Sequence, residues 1–251
     1  MPVRINVSDF DLAATLECGQ AFRWSRDTDG WFTGVVGRRV LRVRQRGDVL
    51  EGDVDRHYFA LDVSLRDIVA TFPPDPALRD AVEKHWGLCV LRQEPWETLA
   101  SFIASSTKQI VQIRQIVELL ARRFGEPIGT AYSFPSPETV ARATVAELRG
   151  CKLGFRAAYL HAAARRVAGG EIDLAALSAM DYERALEELM KLHGVGEKIA
   201  NCVLLFSCGH DEAFPVDVWM KRALRRVKRH VDFGPYAGWA QQYLFHAERQ
   251  R

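Results

Sequence analysis

The order of hydrophobic and polar residues changes character near residue 92. Before that point, residues 31–36 and 40–44 are rich in β-branched and aromatic side chains, and the glycine and two arginines between them suit a hairpin turn. Residues 49–52 can add a further strand, and helical patterns follow at 65–71 and 77–86. The first part of the chain is therefore predicted to mix strands with helices.

Beyond residue 92 the pattern is helical. Hydrophobic residues recur on one helix face from Ile110 to Leu120, and the glycine and proline within 124–127 end that helix. Further helices are predicted at 137–148, 156–168, 180–192, 198–207, 218–229 and 236–248. The expected fold class is α+β, with an N-terminal α/β domain over 1–92 and a helical domain over 93–251.

Composition sets broad limits on the class of protein. A chain of 251 residues, 48% of them hydrophobic, can bury the core of one large or two modest domains. It has no apolar run long enough to cross a bilayer, and its first residues lack the apolar stretch of a signal peptide. We therefore expect an intracellular protein, in the cytoplasm and nucleoid of a prokaryote or in the nucleus of a eukaryote.

Charge and cysteine content bear on whether the protein binds nucleic acid or a metal. The net charge is only +2, but six basic residues crowd into 221–229. That run fits either a solvated helix face or additional contacts to DNA phosphates. The five cysteines form no C-x-x-C pair, so neither a zinc site nor an iron–sulfur cluster is predicted.

The segment Leu192–Lys198, with the sequence LHGVGEK, is the most informative motif. Gly194 and Gly196 allow a sharp turn that exposes backbone N–H groups, since glycine adopts positive φ without a steric penalty. A helical pattern begins near Glu197, and the free N–H groups at a helix start suit a phosphate. Gly194 and Gly196 are therefore candidate DNA-binding residues.

Lys198 and Asp217 are the candidate catalytic residues. Lys198 lies in the first turn of the predicted helix, where a cation is disfavoured, and a neutral amine is the nucleophile that carbonyl or sugar chemistry needs. Without further context, an exposed lysine beside a tight turn is the favoured interpretation. Asp217 follows nineteen residues later at the start of another helical run. It can be an N-cap, a carboxylate that stabilises cationic sugar, or both.

Four segments resemble, in the same order, those of the helix-hairpin-helix base-excision DNA glycosylases. They are Gly19–Trp24, Gln93–Ser106, Leu192–Lys198 with Cys202 and Val216–Val218, and Gly234–Gln241. The lysine at the hairpin is similar to that of the 8-oxoguanine DNA glycosylases. The resemblance, which runs from about residue 10 to the C-terminus, implies an antiparallel-sheet domain joined to a helical domain. It also implies an enzyme that acts on double-stranded DNA containing 8-oxoguanine, with no metal or organic cofactor. A monomer is the default expectation for an enzyme that scans DNA.

The resemblance assigns the chemistry to Lys198. Attack of its amine on C1′ would expel the base and leave an imine with the opened sugar. An imine acidifies the 2′ hydrogens, so elimination of the 3′-phosphate can follow. The expected activity is thus bifunctional, combining an N-glycosylase with a β-lyase, and Asp217 would stabilise the charge that develops on the sugar.

The resemblance also places four residues around the flipped base. Cys202 and Phe245 would lie against its two faces, Gly19 would accept a hydrogen bond from N7–H through its carbonyl, and Gln241 would pair with the pyrimidine-like edge. Taken alone, Cys202 and Phe245 fit core packing, Gly19 fits a turn, and Gln241 fits a surface amide.

Several positions depart from the family pattern. Residues 107–109, beginning with Thr107, replace an asparagine-rich stretch, and Gln112 stands where one of two arginines is expected, while Arg156 matches the other. The family contacts the orphaned cytosine with these residues, so losing an arginine predicts a weaker preference for cytosine opposite the lesion. Trp219 replaces a histidine two residues after Asp217, which would alter phosphate contacts or packing at the DNA.

Two other functions remain open from the sequence. One is an alkylated-base DNA glycosylase on the same fold, although such enzymes generally lack the hairpin lysine. The other is a non-catalytic helix-hairpin-helix module that binds only phosphates. A module of that kind needs neither Lys198 nor Asp217.

Overall fold

The computed structural model describes residues 3–106 and 108–251. Its N-terminal part contains a five-stranded sheet in which every neighbouring pair is antiparallel, in the order β1-β5-β4-β3-β2. The strands are β1 (Val3–Asn6), β2 (Trp24–Arg26), β3 (Phe32–Val36), β4 (Arg39–Arg46) and β5 (Val49–Gly52).

Alternation along β4 shows why this sheet forms. Leu41 and Val43 are buried, whereas Arg42 between them is exposed, as expected for a strand with one face on the core. β3 pairs with β4 from Val36 opposite Arg39 to Phe32 opposite Val43. The predicted hairpin at Gly37 and the strand at 49–52 are confirmed, whereas β1 and β2 were not predicted.

Twelve α-helices occur in the described part of the chain. They are α1 (Leu12–Glu17), α2 (Leu65–Ala70), α3 (Pro76–Lys84), α4 (Pro95–Ser105), α5 (Ile110–Phe124), α6 (Pro137–Arg142), α7 (Val145–Leu148), α8 (Arg156–Ala168), α9 (Tyr182–Met190), α10 (Glu197–Val203), α11 (Val218–Ala223) and α12 (Ala237–Arg249). A short hairpin of β6 (Pro127–Ile128) and β7 (Ala131–Tyr132) separates α5 from α6. That hairpin corrects the expectation of a wholly helical second part.

Two predicted helices are wrong in extent. The helix at 137–148 is two helices, because the Thr144 hydroxyl and the Glu147 carboxylate form a capping box that starts α7. The helix at 218–229 ends at Ala223, so only the first two residues of the basic run lie on it. The predicted helices at 156–168 and 236–248 are confirmed as α8 and α12 to within one residue.

Helix α4 lies at the centre of the molecule. All of its side chains except Pro95 and Glu97 are buried, and α5, α8 and α10 pack around it. One continuous core runs from Phe10 to Trp239, while a smaller cluster joins α3, α11 and α12. The division at 92/93 stays a prediction. No helix among the described residues is long and apolar enough to cross a membrane.

Candidate active site

The hairpin lies between α9 and α10. Gly194 has φ of +85°, and a β-carbon built on it would lie 2.5 Å from the ring carbon Cδ2 of Tyr159 on α8. Only glycine allows both the positive φ and this close approach of the Tyr159 ring. Gly196 is the N-cap of α10 and has no protein atom within 4 Å of the place of a β-carbon. The backbone at the start of α10 is therefore open to a ligand on that side.

Lys198 is the second residue of α10 and is half-buried. Its ammonium Nζ lies 4.9 Å from the centroid of the Phe102 ring on α4, within the range of a cation–π contact. Its charge opposes the rise in pKa that burial causes in the Cys202 thiol, one helical turn further along α10. The hairpin thus directs the lysine inward, onto the central helix.

The Cys202 thiol lies near both Lys198 and Asp217. Burial raises the pKa of the Cys202 thiol to about 11; nearby Lys198 opposes that change, and nearby Asp217 adds to it. The thiol is therefore neutral near pH 7. Lys198 and Asp217, at the starts of two consecutive helices, therefore both lie near the Cys202 thiol.

Asp217 has the N-cap geometry expected of it. Its Oδ1 accepts hydrogen bonds from the backbone N–H groups of Trp219 and Met220, both over 2.9 Å, at the start of α11. One carboxylate oxygen thus holds the helix start, which fixes the direction of the other. Trp219 itself is half-buried, with the Arg222 guanidinium 4.9 Å from its ring centroid.

Gly19 and Phe245 lie side by side although they are far apart in sequence. Gly19 has φ of +95°, and a β-carbon on it would lie 2.8 Å from Cδ1 of Ile110 and 3.7 Å from Cε1 of Phe245. Arg249 donates a hydrogen bond to the Cys18 carbonyl over 3.1 Å, and its guanidinium lies 5.4 Å from the Phe245 ring centroid. Gly19 is therefore favoured by its backbone conformation, and three side chains crowd the space next to it.

Gln241 is not the surface amide that its sequence alone suggested. It is buried on α12, and its Nε2 donates to the Pro215 carbonyl over 3.0 Å. Its Oε1 is buried without a hydrogen-bond partner among the residues described. Because Pro215 precedes Asp217 by two residues, this contact ties the amide to the segment that carries the carboxylate. A buried acceptor without a partner is costly unless a ligand supplies a donor.

The second group of predicted residues comprises Arg156 at the start of α8, Gln112 near the start of α5, and Thr107. Arg156 is buried, its guanidinium donates to the Ser106 carbonyl and lies 4.4 Å from the Phe155 ring centroid, and burial lowers its pKa. Gln112 is exposed, and its Oε1 accepts from the Gln109 backbone N–H over 3.1 Å. Thr107 lies outside the described residues.

Sequence reasoning missed three residues of this region. Phe102 supplies the ring beneath Lys198, Arg249 joins Cys18 to Phe245, and Phe155 is 61% exposed while its neighbour Arg156 is buried. Phe155 also packs edge-on against Tyr159, the residue that contacts Gly194. The position of Phe155 after Gly154, in a loop, could have indicated an exposed aromatic residue. The roles of Phe102 and Arg249 depend on tertiary contacts that no local sequence pattern shows.

The fold and this cluster define a class of proteins in which a helix-hairpin-helix places a lysine and a carboxylate at two consecutive helix starts. Residues 2–99 match the family profile described as 8-oxoguanine DNA glycosylase, N-terminal domain. Residues 100–235 match the one described as HhH-GPD superfamily base excision DNA repair protein. The chain belongs to the HhH-GPD superfamily and carries the N-terminal domain of its 8-oxoguanine DNA glycosylases.

Individual relatives agree over the whole chain. The N-glycosylase/DNA lyase of Saccharomyces cerevisiae is 32% identical, covering 97% of this chain and 85% of that protein. The structure of MBOgg1 with a low-affinity DNA ligand has 38% identity and a TM-score of 0.92, over 99% of this chain and 96% of that one. The Clostridium acetobutylicum 8-oxoguanine glycosylase/lyase, in complex with DNA carrying cytosine opposite 8-oxoguanine, has 31% identity and a TM-score of 0.90, over 99% and 98% of the two chains.

Proposed function

We propose that the protein removes 8-oxoguanine from double-stranded DNA and then cleaves the strand at the resulting abasic site. The observation that carries this proposal is the grouping of Lys198, Cys202 and Asp217 beside a phosphate-binding hairpin. The names of the yeast and clostridial relatives support the same substrate and the same pair of activities. Such a substrate places the protein with the DNA inside the cell.

Lys198 acts as the nucleophile. The lone pair of its neutral amine forms a bond to C1′, and the C1′–N9 bond breaks with its electrons moving to the base. The proton that the newly bonded nitrogen loses is taken up by the departing base. Opening of the sugar converts the adduct to an imine, which acidifies the 2′ hydrogens. Loss of one 2′ proton expels the 3′-phosphate, and hydrolysis of the imine frees the lysine. These steps require no metal or organic cofactor.

Asp217 stabilises the positive charge that develops on the sugar as the base departs. Its Oδ1 is committed to two backbone N–H groups of α11, which holds the carboxylate in a fixed orientation. A preorganised charge of this kind contributes to catalysis without reorganising during the reaction. The N-cap and the catalytic role thus use the same geometry.

Gly19, Cys202, Gln241 and Phe245 recognise the base. The Gly19 carbonyl accepts the N7–H that 8-oxoguanine has and guanine lacks. Gln241 offers its buried Oε1, which has no protein partner among the described residues, to a donor on the base. The neutral thiol of Cys202 and the ring of Phe245 lie against the two faces.

DNA contacts come from two places. The N–H groups around Gly194 and Gly196 bind a phosphate, and Trp219 with Arg222 lies at the start of the neighbouring helix. Phe155, an exposed aromatic ring next to the buried Arg156, enters the space that the flipped base leaves, as apolar wedges do when they unstack a base step. Arg156, the next residue in the chain, hydrogen-bonds to the orphaned base. Gln112 stands in place of a second arginine, which weakens the preference for cytosine opposite the lesion.

Borohydride trapping tests the function. The protein is incubated with a duplex that carries one 8-oxoguanine, and borohydride reduces any imine to a stable protein–DNA adduct. We expect an adduct with the native protein and none with Lys198→Gln. Lys191→Gln, which changes a lysine at the other end of the same hairpin that is paired with Glu188, serves as the matched control and keeps the adduct.

Two other results would contradict the proposal. Release of the base without an adduct would indicate a monofunctional enzyme that uses water as the nucleophile. Neither release nor adduct would favour another lesion or the non-catalytic binding module.

A further inference from the structure

Arg249 connects α12 to the N-terminal segment beside Gly19 and Phe245, two of the residues proposed to recognise the base. Its Nη1 donates to the carbonyl of Cys18, 231 positions earlier, over 3.1 Å. The same guanidinium lies 5.4 Å from the centroid of the Phe245 ring, one helical turn earlier on α12. A β-carbon on Gly19 would lie 3.1 Å from this Nη1. Arg249 therefore contacts both the Cys18–Gly19 segment and the Phe245 ring.

We propose that Arg249 is a positioning residue for base recognition, which holds the Cys18–Gly19 peptide against Phe245 and so directs the Gly19 carbonyl toward N7–H of 8-oxoguanine. This inference rests on the proposed function. A glycine at φ of +95° has more accessible conformations than any other residue, so its carbonyl needs an external constraint to keep one direction. A hydrogen bond from a charged donor to the preceding carbonyl supplies that constraint.

The surroundings of Arg249 favour this role over a direct phosphate contact. Its side chain is half-buried, and desolvation lowers its pKa, while Asp217 nearby opposes that change. One nitrogen is already committed to a protein carbonyl, and the planar group faces an aromatic ring. Arginine fits such a site because its rigid fork stacks and donates at once, which the point charge of lysine does not do.

Two substrates separate base recognition from the later chemistry. A duplex with 8-oxoguanine requires the base pocket, whereas a duplex with a preformed abasic site carries no base and requires only DNA binding, Lys198 and elimination. We expect Arg249→Met to slow single-turnover excision of 8-oxoguanine about tenfold or more and to leave abasic-strand cleavage within about twofold of the native rate. Arg249→Lys, which keeps a donor but loses the planar stack, should give an intermediate excision rate.

Arg251→Met is the matched control, because Arg251 lies near the end of the same helix with a side chain 47% exposed. Its rates of excision and of abasic-strand cleavage should both equal those of the native protein.

Two results would overturn the inference. Equal losses of both activities in Arg249→Met would assign Arg249 to folding or DNA binding. No loss of either activity would show that Arg249 has no role in base recognition. A native protein that cleaves the abasic duplex but leaves 8-oxoguanine in place would refute the proposed substrate itself. If Arg249→Met does not fold, Arg249→Lys is judged by the same ratio of rates, and an unchanged ratio refutes the inference.

Discussion

The backbone of Gly194 lies so close to Tyr159 that a β-carbon on the glycine would be 2.5 Å from the ring carbon Cδ2. The positive φ of Gly194 adds a second penalty for any other residue. We therefore expect Gly194→Ala to lower the free energy of unfolding by roughly 2 kcal/mol or more. Gly196→Ala, whose β-carbon meets open space, should cost less than about 1 kcal/mol. Urea unfolding of both variants checks this, and equal losses would contradict it.

The charge of Asp217 can be separated from its capping role by substitution. Asp217→Asn keeps the oxygen that accepts from Trp219 and Met220, so stability should stay within about 0.5 kcal/mol. Excision should nevertheless fall about a hundredfold or more, because the carboxylate charge is lost. Asp217→Ala should lose the cap as well, at a cost of about 1 kcal/mol. Full excision activity in Asp217→Asn would reduce this residue to a helix cap.

Preference for the base opposite the lesion depends on Gln112 in the proposed function. Excision rates measured opposite all four bases should differ by less than about tenfold, since the second bidentate arginine is absent. Gln112→Arg should raise the cytosine preference several-fold. Gln115→Arg adds the same charge three residues along the same helix, at another exposed position, and should not. A steep cytosine preference in the native protein would refute the interpretation of Gln112.

Phe155 should matter more for opening the duplex than for stability. Its ring is 61% exposed, so Phe155→Ala should cost about 1 kcal/mol or less. Excision from a fully paired duplex should fall about tenfold, and the loss should be smaller when the lesion is already mispaired, because less unstacking is then required. Val3→Ala, which truncates another exposed apolar residue on the edge strand β1, is the control. Equal losses on paired and mispaired duplexes would argue against a wedge.

The buried pair His85 and His246 should make stability depend on pH. Their ring centroids are 4.4 Å apart. Burial lowers the pKa of His246 to about 4, and the charges of His85, Arg249 and Lys84 act in the same direction. Because the unfolded chain titrates near 6.5, it binds more protons than the folded chain between about pH 4 and 6.5, so this stabilisation is complete above 6.5 and is lost as pH falls.

The slope expected from one such histidine is about 1.4 kcal/mol per pH unit within that window. Urea unfolding from pH 7 to 4.5 measures it. His246→Phe should flatten the curve, whereas His230→Asn, at an exposed position with φ of +61°, should leave it unchanged. A native-like slope in His246→Phe would assign the acid sensitivity to other groups.

Local chemistry determined a large part of this molecule. The period of hydrophobic residues and the capping signals predicted α5, α8 and α12, and the glycine turn predicted the β3–β4 hairpin. The string from Leu192 to Lys198 and the aspartate at 217 indicated a phosphate-binding helix start and an N-cap. These features depend on neighbours within a few residues, so they can be recognised from sequence alone.

Tertiary structure decided the rest. Helix α11 ends at Ala223 rather than at residue 229, so most of the basic run lies beyond it. Gln241 is buried and bonded to Pro215 because α12 packs against the segment before α11. Arg249 connects Cys18 to Phe245 because α12 also packs against the N-terminal segment. Sequence patterns record which face of a helix is apolar, but contacts between residues more than two hundred positions apart exist only once the helices have packed.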